Sequence, residues 1–571
     1  MLDAVLIFAF SPIQPFIAEA RRTTDLFVAS KILVQLAHKA GKAIGNHGTL
    51  VYPAALEGDV PNKIVALVPW EKVKVAAEEG KGSLLREWER IANTAKHALE
   101  KMGPPPDEVW YEIWERQTSR LWEVYWSAAN LTGRSYAGAY KEADRVLAGV
   151  KRTRAFEAAE ECGLKDSLSG RREALHTGRL NAKEYWTEVG KHTGAAKLRL
   201  EGRGERLDSI GATKRFCELA QAARGFPSTS TIASTDFLSK ARPFLADYRQ
   251  AIEKLLGNHL YLVPQDSDWP YDGDLLFIET LSQGRLQDSY GVKVQLSQEL
   301  IQEARKKLRE IYKKAESKPS PYYGLIVLDG DNIGKKIDEC LKENNPEEAH
   351  RNFSNRLGEF SSQVRIIVEE KHHSHVVYNS GDDVVALAPL SQALPLAQIL
   401  SEKFKEVTGG TASAGIAIAH HLYPLGTVTQ AARDAEQAAK QIKEKASICV
   451  KVLKRSGVIT EMRSPWENFN QLFFRIIGLF REEGSWKPLL AGKFPYDVAQ
   501  AAHVFPEADE KFWAELKRLI KRHRNSQHPE APDPKEWAEN LQTWAAKLPL
   551  KSGELGNWLV LARFIAQGGI E

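Results

Sequence analysis

The amino-acid sequence predicts an α+β protein built around two ferredoxin-like sheets, each with β-α-β-β-α-β order. Three observations predict the second sheet: an apolar run that ends at Asp329, a hairpin centred on Gly381, and a further alternation of helix, strand and helix. The β-branched residues before Asn379 and the apolar residues after Asp383 are typical of strands, and Asn-Ser-Gly between them is typical of a tight turn. The elements that complete this sheet are predicted as a helix beginning near Ile333, a helix over 391–408, a strand over 411–419 and a helix over 427–445.

The same alternation near the N-terminus predicts the first sheet. Strands are expected over 2–10, 49–52, 63–68 and 121–128, with helices over 16–44 and 71–101. The hairpin region of this sheet has no adjacent pair of carboxylates. We therefore interpret the first sheet as a catalytically silent counterpart of the second.

A chain of 571 residues is too long for a single core, and four domains are predicted. They are a degenerate palm domain over 1–152, a mostly helical insert over 153–316, a palm domain with the Asp-Asp hairpin over 317–457, and a C-terminal helical domain over 458–571. The Pro- and Ser-containing segment 317–321 is the predicted linker into the second palm.

Composition excludes several classes of protein. The hydrophobic content of 43% and the charged content of 27% are ordinary for a globular protein, and the net charge of +4 is too small to indicate nucleic-acid binding by itself. No apolar run approaches the length of a membrane span, and no signal peptide is evident. The four cysteines are isolated, which is compatible with a reducing cytoplasm, where we expect the protein to act.

The hairpin carries two adjacent carboxylates, Asp382 and Asp383. The negative charges of two adjacent carboxylates repel each other, so such a pair usually needs a cation. Mg²⁺ prefers oxygen ligands of this kind. Asp-Asp in a turn is by itself more often plain turn chemistry. Asp329, however, ends the neighbouring predicted strand, so three carboxylates are expected at one edge of the sheet.

The motifs in combination resemble those of a known family. They are Leu328-Asp329-Gly330-Asp331-Asn332-Ile333-Gly334, Ser380-Gly381-Asp382-Asp383, the segment 413–421, and the N-terminal segment 10–26. Together they resemble the large polymerase/cyclase subunit of type III CRISPR effector complexes, most closely its Cmr-type (III-B) branch. The resemblance extends from residue 1 to about residue 457.

The resemblance implies an ATP-using nucleotidyltransferase with two Mg²⁺ or Mn²⁺ ions. It assigns Asp329, Asp382 and Asp383 as catalytic metal ligands, with ATP joined into 3′–5′ cyclic oligoadenylates when target RNA pairs with guide RNA. Candidate nucleotide-binding residues are Asp331, Gly334, Lys335, Ser380, Gly381 and Lys440. The implied partners are guide RNA, target RNA and the backbone, small and guide-tag-capping subunits of a Cmr-type complex.

The sequence departs from the family pattern in three places. The positions of a zinc module are held by residues such as Asp166 and Ser169 rather than by paired cysteines, so no structural zinc is expected. No histidine is followed by Asp, so the metal-binding nuclease domain of many relatives is not expected either. Ser380 stands where the family usually has Gly, which could crowd a nucleotide or add a hydroxyl contact.

Alternative interpretations stay open at this point. Asp331 could ligate a metal, orient its loop, or simply cap the following helix. Lys335 and Lys440 could be solvated helix charges. The protein could join AMP to a different small acceptor, or its palm could be inert, with the chain acting as a scaffold for guide RNA and partner subunits.

Overall fold

The structure, a computed structural model, describes residues 2–153, 161–192, 205–263, 268–292, 295–455, 457–482, 487–528, 530–547 and 552–569. Parts of the predicted insert, 154–160 and 193–204 among them, lie outside this description. The described chain contains two β-sheets surrounded by helices, and the predicted α+β class is confirmed.

The first sheet has four antiparallel strands in the order β2-β3-β1-β4. Its strands are β1 (Ala4–Ser11), β2 (Thr49–Tyr52), β3 (Lys63–Val68) and β4 (Glu123–Asn130). The accompanying helices are α1 (Gln14–Ala18), α2 (Thr23–Gly45), α3 (Val73–Met102), α4 (Glu108–Ser119) and α5 (Tyr136–Arg152). Central strand β1 is buried along almost its whole length because α2 and α3 cover one face and α5 covers the other.

The second sheet has six strands in the order β10-β9-β8-β5-β7-β6. Its strands are β5 (Tyr322–Gly330), β6 (His375–Asn379), β7 (Asp383–Pro389), β8 (Ala412–His420), β9 (Ser447–Leu453) and β10 (Ile459–Pro465). Its helices are α13 (Ile333–Cys340), α14 (Pro346–Arg365), α15 (Leu390–Thr408) and α16 (Leu425–Lys440). Helices α6 to α12 lie in the insert, between the two sheets along the chain.

Strand β5 is buried on both faces, which explains its continuous apolar sequence. Because side chains alternate along a strand, Tyr323, Leu325 and Val327 pack into the core shared with the first sheet. Ile326 and Leu328 pack on the opposite side, in a core shared with α14, α15 and the C-terminal helices. The strand that ends in Asp329 is therefore anchored from both sides.

The sheet extends beyond the predicted ferredoxin-like unit. Strand β9 pairs parallel to β8, and β10 pairs antiparallel to β9, so the predicted domain boundary at residues 457 and 458 falls in the turn of a hairpin. The sequence after 458 was expected to be helical, and the structure corrects this. Ile459–Pro465 alternates exposed and buried residues, as expected for a strand.

Helices account for most of the remaining described chain. The insert contains α6 (Ala182–His192), α7 (Ser209–Phe216), α8 (Glu218–Ala222), α9 (Thr229–Ala241), α10 (Ala246–Leu256), α11 (Gln283–Tyr290) and α12 (Gln298–Lys314). The C-terminal region contains α17 (Trp466–Asn468), α18 (Phe474–Gly478), α19 (Phe494–Val504), α20 (Glu510–His523), α21 (Pro534–Lys547) and α22 (Ser552–Ala566). None of the helices described is long and apolar enough to cross a membrane.

Candidate active site

Three carboxylates come together where neighbouring strands of the second sheet end. Asp329, near the end of β5, lies directly opposite Asp383 at the start of β7. The Gly330 amide donates a hydrogen bond to the Asp382 carbonyl oxygen at 3.0 Å, which fixes the strand end to the hairpin turn. A Cβ on Gly330 would lie 2.8 Å from Phe404 and 3.1 Å from the Asp382 Cβ, so glycine permits this close approach.

The hairpin turn is rigidly held. The Ser380 amide donates to the Asp383 carbonyl oxygen at 3.0 Å, and Gly381 has a φ of 90° that other residues rarely adopt. The Asn379 side-chain amide donates to the Ser361 carbonyl oxygen at 2.7 Å and ties the turn to α14. Ser380 itself is buried. The turn therefore presents Asp382 and Asp383 in fixed positions.

The electrostatics of the pair are unfavourable. Burial, followed by the charge of Asp329, raises the pKa of Asp382 to about 6. Burial also raises the pKa of Asp383 to about 7, with further increases from Asp329, Asp382 and Glu436, although the Arg433 guanidinium opposes the shift. Because the ionised forms of these carboxylates are disfavoured, a bound cation would stabilise the site.

Lys440, at the end of α16, supplies part of that positive charge. Its ammonium group donates to the Asp329 carboxylate and lies 2.8 Å from Glu436 Oε1. Burial opposes the charged form, but the neighbouring carboxylates Asp329 and Glu436 raise the pKa of Lys440 above its ordinary value. The structure thus brings Lys440 to the site instead of leaving it as a solvated helix charge.

Lys335 and Gly334 are placed differently. Both are exposed at the start of α13, and a Cβ on Gly334 would meet no atom within 4 Å. The structure therefore leaves open space in front of this turn, and within the described residues Lys335 forms no hydrogen bond or ion pair with the carboxylates. Their contact with nucleotide remains a prediction.

Asp331 is buried and fully engaged. Its carboxylate accepts hydrogen bonds from Thr411 Oγ1 at 3.0 Å, from Ser413 Oγ at 2.9 Å and from the Ala446 amide at 2.9 Å. The helix cap is Asn332, with a φ of 54°, so the capping interpretation of Asp331 is wrong. These contacts favour the alternative in which Asp331 orients the loop after Asp329.

The sequence analysis missed three residues that surround Asp383. Gln14 of the first sheet region donates from Nε2 to Asp383 Oδ2 at 3.3 Å. Arg433 and Glu436 lie on the same face of α16 as Lys440, at the i, i+3, i+7 spacing of one helix face, and both interact electrostatically with Asp383. The spacing on α16 could have been recognised in the sequence, whereas nothing in the sequence indicates that Gln14 contacts Asp383.

Orphaned polar atoms mark the space beside Asp383. Among the residues described, Asp383 Oδ1 and Arg433 Nε and Nη2 are buried without a hydrogen-bond partner. Buried groups of this kind are rare in folded proteins unless a ligand, ion or water completes them. Within the described residues, no group of three or more His, Cys, Asp or Glu side chains is arranged so that it could hold a metal ion.

The predicted zinc-module positions are held by hydrogen bonds. Asp166 accepts from the Leu168 and Ser169 amides at 2.8 and 2.6 Å and from Ser169 Oγ at 2.6 Å. Asp208 caps α7 and forms an ion pair with Arg172. Polar contacts thus organise this segment; its freedom from zinc remains a prediction.

A sheet with β-α-β-β-α-β order and carboxylates on adjacent strand ends is the arrangement expected of a palm domain. The Cas10/Cmr2 second palm domain family matches residues 322–449, and the Cmr2 N-terminal family matches residues 5–59. These two stretches of the chain are therefore similar to the Cas10/Cmr2 large subunit of type III-B complexes.

A curated relative shows the same similarity. The CRISPR system Cmr subunit Cmr2 of Pyrococcus furiosus is 29% identical over 288 residues, which cover 44% of this chain and 32% of that relative. The match thus spans about a third of the relative's length.

The fold is also similar to the type III-B Cmr-beta structure in its apo state, with a TM-score of 0.63, 14% identity, and coverage of 99% of this chain and 82% of the other. A second Cmr-beta structure, bound to cognate target RNA, gives a TM-score of 0.60 at 14% identity, covering 100% and 83%.

Proposed function

We propose that this chain is the large subunit of an RNA-guided Cmr-type complex and that it converts ATP into 3′–5′ cyclic oligoadenylates when target RNA pairs with the guide. The observation that carries the proposal is the convergence of Asp329, Asp382 and Asp383 at one sheet edge. An inert palm has no need for three carboxylates whose mutual repulsion is costly. The relative bound to cognate target RNA supports the partner assignment.

The carboxylates suit Mg²⁺ or Mn²⁺, because they are hard oxygen ligands and Asp383 Oδ1 is buried without a hydrogen-bond donor. Asp329, Asp382 and Asp383 would hold the ions. Bound there, two metal ions would neutralise charge and activate a hydroxyl nucleophile for nucleotidyl transfer from ATP, with release of pyrophosphate.

The other residues of the site would bind the substrate and hold the carboxylates in position. Lys440 and Arg433 place two cations beside the carboxylates, where they would contact substrate phosphates. Asp331 holds the loop after Asp329 in place through Thr411, Ser413 and Ala446. Gln14 reaches Asp383 from the N-terminal region, so both sheets contribute to the site.

The test uses the complex reconstituted with guide RNA, matched target RNA, Mg²⁺ or Mn²⁺ and labelled ATP. Products are resolved by mass spectrometry for the wild type, for Asp382→Ala/Asp383→Ala, and for Asp338→Asn as a control carboxylate on exposed α13. Target-dependent cyclic oligoadenylates that vanish only in the double variant would establish the cyclase.

Two other results would revise the proposal. A variant-sensitive product that contains AMP joined to another molecule would retain the palm chemistry and change the acceptor. An intact, target-bound complex that makes no product from ATP would refute enzymatic activity and leave a scaffold.

A further inference from the structure

A second charged feature lies far along the chain from the carboxylates, in the C-terminal helices. A cleft of about 440 Å³ runs between α20 and the start of α21. We call it the C-terminal basic cleft; its lining residues are Lys517, Arg518, Lys521, Arg524, Lys535, Asp533, Ala514 and Pro534. Among these described lining residues, five are cations and one is a carboxylate.

The one carboxylate among the described lining residues, Asp533, interacts electrostatically with Arg524 and Lys517 and offsets only part of the positive charge. Asp533 Oδ1 accepts hydrogen bonds from the Lys535 and Glu536 amides at 3.0 and 2.9 Å, so it serves as the cap of α21. Arg518 donates two hydrogen bonds of 2.7 Å to Glu515, and Lys535 lies 3.9 Å from Glu539. Within the described residues, Lys517, Lys521 and Arg524 have no ion-pair partner closer than 4.0 Å.

The fold holds these cations on one side. The opposite face of α20 buries Phe512, Leu516 and Leu519 in the core, which fixes the rotation of the helix. Lys517 lies within α20 and Arg524 directly follows its last residue, so the two are about 10 Å apart along the helix axis. The uncompensated charge is therefore linear and longer than one phosphate group.

We propose that the C-terminal basic cleft binds the phosphate backbone of RNA. Its apolar lining is limited to Ala514 and Pro534, whereas a protein partner would require a larger apolar centre. None of the described residues that line the cleft is aromatic, so they offer bases no surface on which to stack. Binding would then depend on phosphates instead of sequence. The inference deepens the proposed function, because it assigns part of the RNA contact to a surface of this chain.

The experiment measures binding of the full chain to a fluorescently labelled RNA strand at several salt concentrations. The test variant is Lys517→Gln/Lys521→Gln/Arg524→Gln, with Lys517→Gln/Lys521→Gln as a milder version that changes only exposed side chains. The matched control removes three exposed charges from α12, as Lys306→Gln/Arg309→Gln/Lys313→Gln.

Loss of three phosphate contacts lowers the slope of log affinity against log salt by about 2, and affinity at low salt falls at least about tenfold. The control keeps the wild-type slope, and scrambling the RNA sequence changes neither result. An unchanged slope in the triple variant overturns the inference. So does a variant that binds RNA normally but loses a protein subunit from the complex, because an acidic protein would then occupy the cleft.

The ATP assay separates this inference from the proposed function. A wild-type complex that makes no product from ATP contradicts the enzymatic proposal, whatever the salt slopes show. Normal product formation with unchanged salt slopes contradicts only the assignment of the cleft.

Discussion

Asp331 provides the sharpest test of how the loop after Asp329 works. The carboxylate is 2% exposed and accepts three hydrogen bonds, from Thr411, Ser413 and the Ala446 amide. Asp331→Ala leaves these donors without an acceptor. Since each hydrogen bond to a buried charged group contributes about 1.5–3 kcal/mol and the losses are not additive, we expect unfolding to become easier by about 3–5 kcal/mol.

Asp331→Asn separates orientation from metal binding. Asparagine keeps one oxygen acceptor, and the Ser413 hydroxyl can rotate to accept from the new amide, so the expected loss is about 1–2 kcal/mol. Urea unfolding followed by tryptophan fluorescence measures stability. Mn²⁺ affinity, measured by calorimetry, should stay within about threefold of wild type, whereas Asp329→Asn should lose it.

Loss of Mn²⁺ binding without loss of stability in Asp331→Asn would contradict this expectation. If Asp331→Asn unfolds like the wild type but loses Mn²⁺ as completely as Asp329→Asn does, then the Asp331 carboxylate is a ligand. Its buried hydrogen bonds would then be replaced when a metal ion binds.

Three further outcomes are expected. His350 is buried, with its Nδ1 2.9 Å from the Tyr136 hydroxyl, and burial lowers its pKa to about 4. Because the unfolded chain therefore takes up a proton at a higher pH than the folded chain, stability falls as the pH drops from about 6.5 to 4. The loss approaches about 3 kcal/mol at about 1.4 kcal/mol per pH unit, and His350→Gln should flatten it in acid unfolding curves; an unchanged slope contradicts this. Arg215→Met should destabilise by about 3–5 kcal/mol, because it removes the buried cation between Asp25 and Glu205. The exposed control Arg145→Ala should cost under about 0.5 kcal/mol in thermal unfolding. Arg433→Ala should weaken ATP binding about tenfold in a fluorescence titration, with Gln437→Ala unchanged; equal affinities would remove Arg433 from the site.

The strands were predictable because their periodicity is local. The predicted strands 49–52 and 63–68 match β2 and β3 as the structure has them, and β5 was evident from its uninterrupted apolar run. Strand β10 was missed because its neighbours are rich in Trp and Phe, which outweighed a short alternation of exposed and buried residues.

The site was only partly predictable. Two adjacent carboxylates and a strand that ends in Asp are visible in the sequence, and the antiparallel register places Asp329 opposite Asp383. The contact between Lys440 and Asp329 joins residues 111 positions apart, and that between Gln14 and Asp383 joins residues 369 apart. Neither pairing has a local signature, because both arise from how helices and sheets pack.

The hairpin of β9 and β10 determines where this protein can be divided. Met462 of β10 shares one continuous core with Ile326 of β5 and Trp558 of α22, and the Trp466 indole donates to the Ala412 carbonyl oxygen at 2.8 Å. A chain cut at residue 457 would expose this interior and lose an edge strand of the sheet. A transplant of the second palm into another protein must therefore carry the C-terminal helices with it, because the two share this core.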